Sequence, residues 1–384
     1  MTRPGRAALL LAGVLVASFS FADERRTFGL EGQFSLGLTL HDQPPEKLIF
    51  GLRYIPTFTL KHDLGPNLSF DVEASVNMTA TARGSGLSDL QTDGRLRPYR
   101  LWARLATKQF EARLGLQKIN FGSAMLLRPM MWFDRIDPND PLQLTDGVYG
   151  LLLKYTFLNN TNIWLWGLLG NGDVKGWESI PTRRGAPEFG GRIQIPVPAG
   201  ELAVSYHHRR MDTARSLVAL PPAERSEPPE DRLGVDGKWD LGVGVWVEAV
   251  LARQDFSLVP GRYQKWLNVG ADYTFGAGNG LHLLAEHLVL DVSEKTFTSG
   301  TRRNLTALTA DYPLGLLDRL RAVVFRDWTS GDWYRLLTWQ RTYDKWSFYI
   351  IGFWNPDRYQ IYASSREGPV FAGKGFQITV VFNH

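Results

Sequence analysis

The chain has 384 residues with 43 Lys+Arg, 39 Asp+Glu and no cysteine, so disulfides, thiolate metal sites, covalent haem attachment and a lipidated N-terminal cysteine are excluded together. Its formal net charge is +4; without Arg3 and Arg6, 43 − 2 = 41 cations stand against 39 anions, which leaves no basic footprint for nucleic acid. Aromatic residues make up 12%, with 13 Trp, yet mean hydropathy is slightly negative, a balance that a wall alternating apolar and polar side chains meets better than a large soluble core.

Arg3 and Arg6 precede an apolar stretch over 7–21, and small residues follow at Ser20 and Ala22. This is the order of an export signal cleaved near Ala22, and it divides the chain into a signal peptide, 1–22, and one domain, 23–384. At about fifteen residues the stretch is short of the roughly twenty that a spanning helix needs.

From there the sequence runs in period two. The clearest case is 68–78, where Leu68, Phe70, Val72, Ala74, Val76 and Met78 alternate with Ser69, Asp71, Glu73, Ser75 and Asn77. The same pattern predicts strands over 27–40, 48–61, 67–80, 96–106, 109–118, 147–157, 161–170, 187–197 and 201–210 in the first half. It continues over 231–239, 242–254, 265–275, 280–291, 303–312, 318–328, 333–342, 346–354 and 373–382. Two late segments, 320–325 and 346–354, are apolar at consecutive positions, so alternation assigns them no inner face.

Every other connection is short and rich in turn formers, as at 62–66, 107–108, 158–160, 198–200, 240–241, 276–279 and 343–345. The intervening ones, 82–95, 119–146, 171–186, 211–230, 292–302 and 355–372, are long; 329–332 is the exception. A sandwich has no reason to sort its loops this way, and no fixed-period repeat suggests a propeller or solenoid. The pattern predicts an all-β fold, a transmembrane antiparallel barrel of about eighteen strands, 16 to 18.

The connection 119–146 is apolar where an exposed loop should be polar, with Met125, Leu126, Leu127, Met130, Met131, Trp132 and Phe133. We expect it to fold inward and narrow the barrel, with Arg128, Met131, Trp132, Asp134, Arg135, Asp137 and Asp140 at the constriction. The carboxylates at spacing three also admit a calcium or paired-acid reading, but Asp137-Pro138 and Asp140-Pro141 fit Asp-capped turns better. A mid-strand charge facing lipid costs roughly 2–4 kcal/mol, so Arg53, Asp71, Glu73, Arg100, Arg104, Glu111, Arg113, Arg192 and Glu248 should face the lumen, as should Glu201, Asp236, Lys238, Asp272 and Glu286. Trp102, Trp164, Trp166, Trp246 and Trp266 are the inward tryptophans by alternation, with Trp164 and Trp166 in a strand apolar on both sides. His207, His208, His282 and His287 lie in no nucleophile-base motif, so neither enzymatic activity nor a cofactor is expected.

The last strand, 373–382, sets Phe376, Ile378, Val380 and Phe382 on one face and Gln377 and Thr379 on the other. It resembles the C-terminal signature by which barrel proteins are recognised by the assembly machinery of the outer membrane, except that Asn383 and His384 follow the terminal aromatic and are expected to overhang. Residues 114–122, 127–138 and 145–150, with Gly115-Leu116-Gln117, Leu127-Arg128-Pro129 and Asp137-Pro138, resemble a segment of a group of porin-like outer-membrane proteins of Gram-negative bacteria. The resemblance covers about a tenth of the chain and implies a barrel in outer-membrane lipid and passive uptake, with no substrate or binding residues to carry over; the function expected of such a barrel is a water-filled diffusion channel for small polar solutes. Two alternatives stay open: a sheath around multihaem cytochromes in an electron conduit, and a purely structural barrel.

Overall fold

The computed structural model describes residues 21–23, 26–42, 46–134, 142–217, 227–255, 261–357 and 370–384. Eighteen long strands form the wall. They are β1 (Arg26–His41), β2 (Leu48–Gly65), β3 (Leu68–Gly84), β4 (Gln91–Ala106), β5 (Phe110–Gln117) and β6 (Val148–Thr156); β7 (Asn162–Leu168), β8 (Glu188–Val197), β9 (Gly200–Arg210), β10 (Pro229–Asp240), β11 (Gly244–Gln254) and β12 (Tyr263–Phe275); and β13 (Leu281–Ser293), β14 (Thr301–Pro313), β15 (Asp318–Asp327), β16 (Trp333–Thr342), β17 (Trp346–Trp354) and β18 (Lys374–Asn383). A three-residue piece, Phe21–Asp23, doubles back to pair Phe21 with Phe28.

Each strand pairs antiparallel with the next, and β18 pairs with β1, Ile378 opposite Leu38, so the sheet closes without a free edge. Closure leaves neither edge of the sheet unpaired, which a chain in hydrocarbon requires. All eighteen predicted strands are present. The first four run longer than alternation suggested, because β3 continues to Gly84 and β4 begins at Gln91; the connection expected over 82–95 shortens to 85–90. Short connections at 66–67, 107–109, 198–199, 241–243 and 343–345 lie at one rim, and the long ones at the other.

The two faces of the wall differ in exposure as period two dictates. Phe376 and Ile378 are 41% and 40% exposed, whereas Thr379 and Val381, of the opposite parity, are buried. The outward face repeats this row around the wall with Leu36, Leu101, Leu165, Ile193, Val247, Val269, Leu308 and Ile350. The overhang expected of Asn383 and His384 is corrected: Asn383 pairs with Gln33, and Gly32 and His384 exchange backbone hydrogen bonds at 2.9 and 3.0 Å. The His384 ring stacks on Tyr54 and reaches its hydroxyl, so the ladder runs to the last residue.

The late strands that defeated alternation resolve on their burial. In β15 and β17, Val323, Phe325, Tyr349, Ile351 and Phe353 are buried, while Ile350 and Trp354 are exposed. The inner face of this sector is itself apolar, joined by Leu288, Leu305, Ala307, Tyr334 and Leu336.

Candidate channel lining and its covering segment

The connection between β5 and β6 begins with residues 118–134, and most of it is buried although it contains no regular element. Its apolar side chains, Ile119, Phe121, Leu126, Leu127, Met130, Trp132 and Phe133, join one cluster with inner-face residues Trp166, Trp246, Val250, Leu284 and Leu288. Phe121 stacks on Trp166 at 5.5 Å and meets Trp132 and Phe133 edge to face. Fully burying one such side chain contributes about 1.5–3 kcal/mol, so the segment is held by many small increments.

Irregular backbone needs hydrogen-bond partners, and here carboxylates supply them. Glu286 of β13 accepts the N–H groups of Met125 at 2.6 Å, Leu126 at 3.1 Å and Leu127 at 2.6 Å. It also accepts the indole N–H of Trp246 at 3.1 Å and one from Asn268 at 3.3 Å. Glu248 of β11 accepts from Ala124 at 2.7 Å and Met130 at 3.2 Å. Asp236 of β10 accepts from the Ser123 hydroxyl at 3.1 Å while Arg192 of β8 forks onto it at 2.5 and 2.9 Å. In return, Asn268 donates to the Leu127 carbonyl at 2.6 Å. Each carboxylate thus meets several donors, the condition under which a charge can be buried. Gly122 permits the approach: its φ is +99°, and a Cβ there would lie 2.3 Å from Glu248 Oε1.

Arg128 and Asp134 pair with each other at 3.2 Å, both buried, and Asn120 also accepts from Arg128. Trp177 of the next long connection donates to the Arg128 carbonyl at 2.8 Å, and Gly176 donates to that of Asp134 at 3.0 Å. Met131 and Trp132 are buried, Trp132 stacked beside His207. Arg135, Asp137 and Asp140 lie outside the described residues.

The connection 169–187 contributes a second set of contacts that alternation does not reveal. Lys175 donates to Glu188 at 2.8 Å, Glu178 pairs with Arg209 at 3.2 Å and with Arg232 at 2.7 Å, and Glu230 receives both arginines. His207 sits between the Trp166 indole N–H, 3.2 Å away, and Glu188 at 3.4 Å. A small cleft between the two connections is lined by Met131, Trp132, Trp177, Ile180, Arg232 and Trp266.

The inner face of β2–β6 is different in kind. Arg53, Asp71, Glu73, Arg104, Glu111 and Arg113 stand on it in register, opposite the outward Leu101, Leu105, Phe110 and Leu114. Arg104 pairs with Asp71 and lies 3.5 Å from Glu111, which pairs with Arg113 at 2.9 Å. Arg113 covers the ring of Trp102 at 4.6 Å and Lys154 that of Trp164 at 3.9 Å. Side chains of Arg104, Glu111 and Arg113 keep 31%, 20% and 19% of their surface open, in contrast with Glu248 at 0%. Arg100 is buried and donates to the Thr145 carbonyl at 3.0 Å, and Arg192 is buried on Asp236. Among the described residues no His/Asp/Glu cluster has metal-binding geometry.

No family model and no curated protein matches the chain. Solved structures do. A loop L8 deletion mutant of OmpT, an outer membrane protein of Vibrio cholerae, superposes with a TM-score of 0.53 at 10% identity, over 94% of this chain and 100% of that one. The trimer form of in-vitro folded OmpT from the same organism gives 0.52 at 10% identity over the same shares. At such identity the similarity establishes the fold, that of an outer-membrane β-barrel.

Proposed function

We propose that the chain is an outer-membrane porin, a water-filled diffusion channel for small polar solutes, whose bore is narrowed by the segment 119–134 folded against one side of the lumen. The observation that carries this reading is the division of the inner face. On β11–β17 it is buried and largely apolar, its Glu248, Glu286 and Asn268 side chains engaged by the segment, and apolar side chains of 119–133 join the same cluster. On β2–β6 it carries charges that keep part of their surface open. Water excluded from the first side therefore has a path along the second, and the mixed ladder of Arg53, Glu73, Arg104, Glu111 and Arg113 suits hydrated solutes of either sign.

The apolar outward row and the closed wall support an outer-membrane location, reached after removal of residues 1–22. We assign no catalysis to His207, which sits between tryptophan and glutamate with no hydroxyl nucleophile as its hydrogen-bond partner. A sheath around a second protein would need the space the segment takes, so the channel is preferred. Planar-bilayer recording on purified, folded protein tests it: discrete conductance steps are expected, and a folded barrel that never conducts rejects the channel.

A further inference from the structure

The cleft between the two long connections has features that a bore for water does not need. It lies at the long-connection mouth of the lumen, where β9 and β11 end and β10 and β12 begin. Met131 and Trp132 of the buried segment form one side, Trp177 and Ile180 of the second connection another, and Trp266 of β12 belongs to the wall. Trp177 is the least buried of the three rings.

One polar atom of this lining has no partner. Nearby tryptophans each donate their indole N–H: Trp166 to His207, Trp177 to the Arg128 carbonyl and Trp246 to Glu286. Trp266 is 9% exposed, and among the described residues it is the one tryptophan whose indole N–H is buried without an acceptor. Buried donors are nearly always paired, so an orphaned one in the lining of a cleft points to a ligand that supplies the acceptor.

The charges beside it set the kind of ligand. Glu178 and Glu230 are each bound by both Arg209 and Arg232, two negative charges against two positive. An ionic ligand would have to break one of these buried pairs to enter. Acceptor capacity remains nonetheless. Glu178 Oε1 takes one hydrogen bond, from Arg232 at 2.7 Å, and Glu230 Oε2 takes one, from Gln254 at 2.5 Å, where a carboxylate oxygen can accept two. The cleft thus offers ring faces, a free donor and free lone pairs with no net charge. A phenol or indole would match the rings but bring a single polar group. A pyranose brings an apolar C–H face together with hydroxyls that both donate and accept.

We propose that this cleft binds one neutral pyranose ring, stacked on Trp177, with a ring substituent accepting from Trp266 Nε1 and hydroxyls donating to Glu178 and Glu230. The site rests on the channel reading for its use in uptake, and deepens it by naming sugars as a solute class, but binding itself needs no conduction.

Saturation-transfer NMR on the folded full-length protein, in a detergent without a sugar headgroup, tests it. The probes are the methyl glycosides of glucose, galactose and mannose, with phenol and glucuronate beside them. At least one methyl glycoside should receive saturation, chiefly at its ring C–H protons, with a dissociation constant on the order of 1 mM for about thirteen heavy atoms. Trp266→Phe keeps the ring and removes the N–H, so binding should weaken about tenfold, the value of one hydrogen bond. Because that N–H has no partner within the protein, thermal unfolding of Trp266→Phe should match wild type, which a structural role would not allow. Trp177→Ala should abolish the transfer and decides the matter if Trp266→Phe does not fold; Trp354→Phe, on the outer face of β17, should change nothing. Heat-modifiable electrophoretic migration reports whether each variant is folded. No transfer to any methyl glycoside, equal or stronger transfer to phenol or glucuronate, or undiminished binding by a folded Trp266→Phe or Trp177→Ala overturns the proposal. A folded protein that binds a glycoside but never conducts supports this site and sinks the channel; one that conducts without binding sinks the site alone.

Discussion

The Glu286 carboxylate accepts the backbone N–H of Leu127 at 2.6 Å, across 159 residues of sequence. With the bonds from Met125 and Leu126 it ties three consecutive amides of an irregular segment to one side chain of β13. Hydrogen bonds to a charged acceptor contribute about 1.5–3 kcal/mol each, and buried orphaned donors cost about 1–3 kcal/mol each. Glu286→Leu should therefore free the segment at a local cost of about 3–5 kcal/mol without opening the wall. Amide exchange at 124–130 should accelerate while β-sheet amides stay protected, and single-channel conductance should rise. Unchanged exchange in the variant would show that the apolar cluster alone holds the segment.

Gly122 gives a second handle on the same contact. An alanine there meets Glu248 Oε1 at 2.3 Å and also must hold a φ of +99°. Gly122→Ala should cost about 2–3 kcal/mol, combining backbone strain with displacement of the carboxylate. Gly170 also has positive φ, but no atom lies near its would-be Cβ. Gly170→Ala should cost only the strain, so thermal unfolding of the two variants should differ by the value of the Glu248 contact.

The charges at 175–232 form a network closed on itself. Arg209 is buried between Glu178 and Glu230, and removing it leaves two buried carboxylates to Arg232. Arg209→Met should destabilise by about 3–5 kcal/mol, the usual cost of breaking a buried pair from one side. Limited proteolysis should then cut within 171–186, which stays protected in the wild type.

Asp89 in the 85–90 connection titrates below its ordinary range. The Ser85 hydroxyl, 2.6 Å away, is the main cause, followed by the N–H groups of Ser85 and Gly86. Its folded value is depressed, so the stabilisation is present above the unfolded value near about 3.9 and is lost as pH falls through the folded one. Exchange at the Ser85 and Gly86 amides should quicken only in that acidic window, and Asp89→Asn should remove the pH dependence.

The wall was legible in the sequence because period two, loop sorting and the closing strand all report the same geometry. Phe376 and Ile378 face outward and β18 meets β1, as alternation required. The buried segment was legible in part, since Met125–Phe133 is too apolar for water. What alternation could not supply was the job of the inward carboxylates. Asp236, Glu248 and Glu286 look like lining charges on three different strands. Glu248 and Glu286 accept from backbone amides more than a hundred residues away and Asp236 from the Ser123 hydroxyl, and a backbone amide has no sequence signature. Lys175 and Glu178 stand in a connection that the sequence marks only as long, and their charged partners lie on strands with which no pattern joins it. The inner apolar arc was hidden for a simpler reason: 320–325 is apolar at consecutive positions, so nothing marks Val323 and Phe325 as inward until the residues that cover them are known.

The central claim is that water runs along β2–β6 and is excluded from β13–β15. The chain has no cysteine, so single cysteines introduced at Glu73 and at Ala307 report the two sides without background. Both positions are on the inner face, Glu73 half-buried and Ala307 fully buried. A charged, membrane-impermeant thiol reagent applied during bilayer recording should step down the current through Glu73→Cys and leave Ala307→Cys unaffected. Block at Ala307→Cys with none at Glu73→Cys would contradict the account.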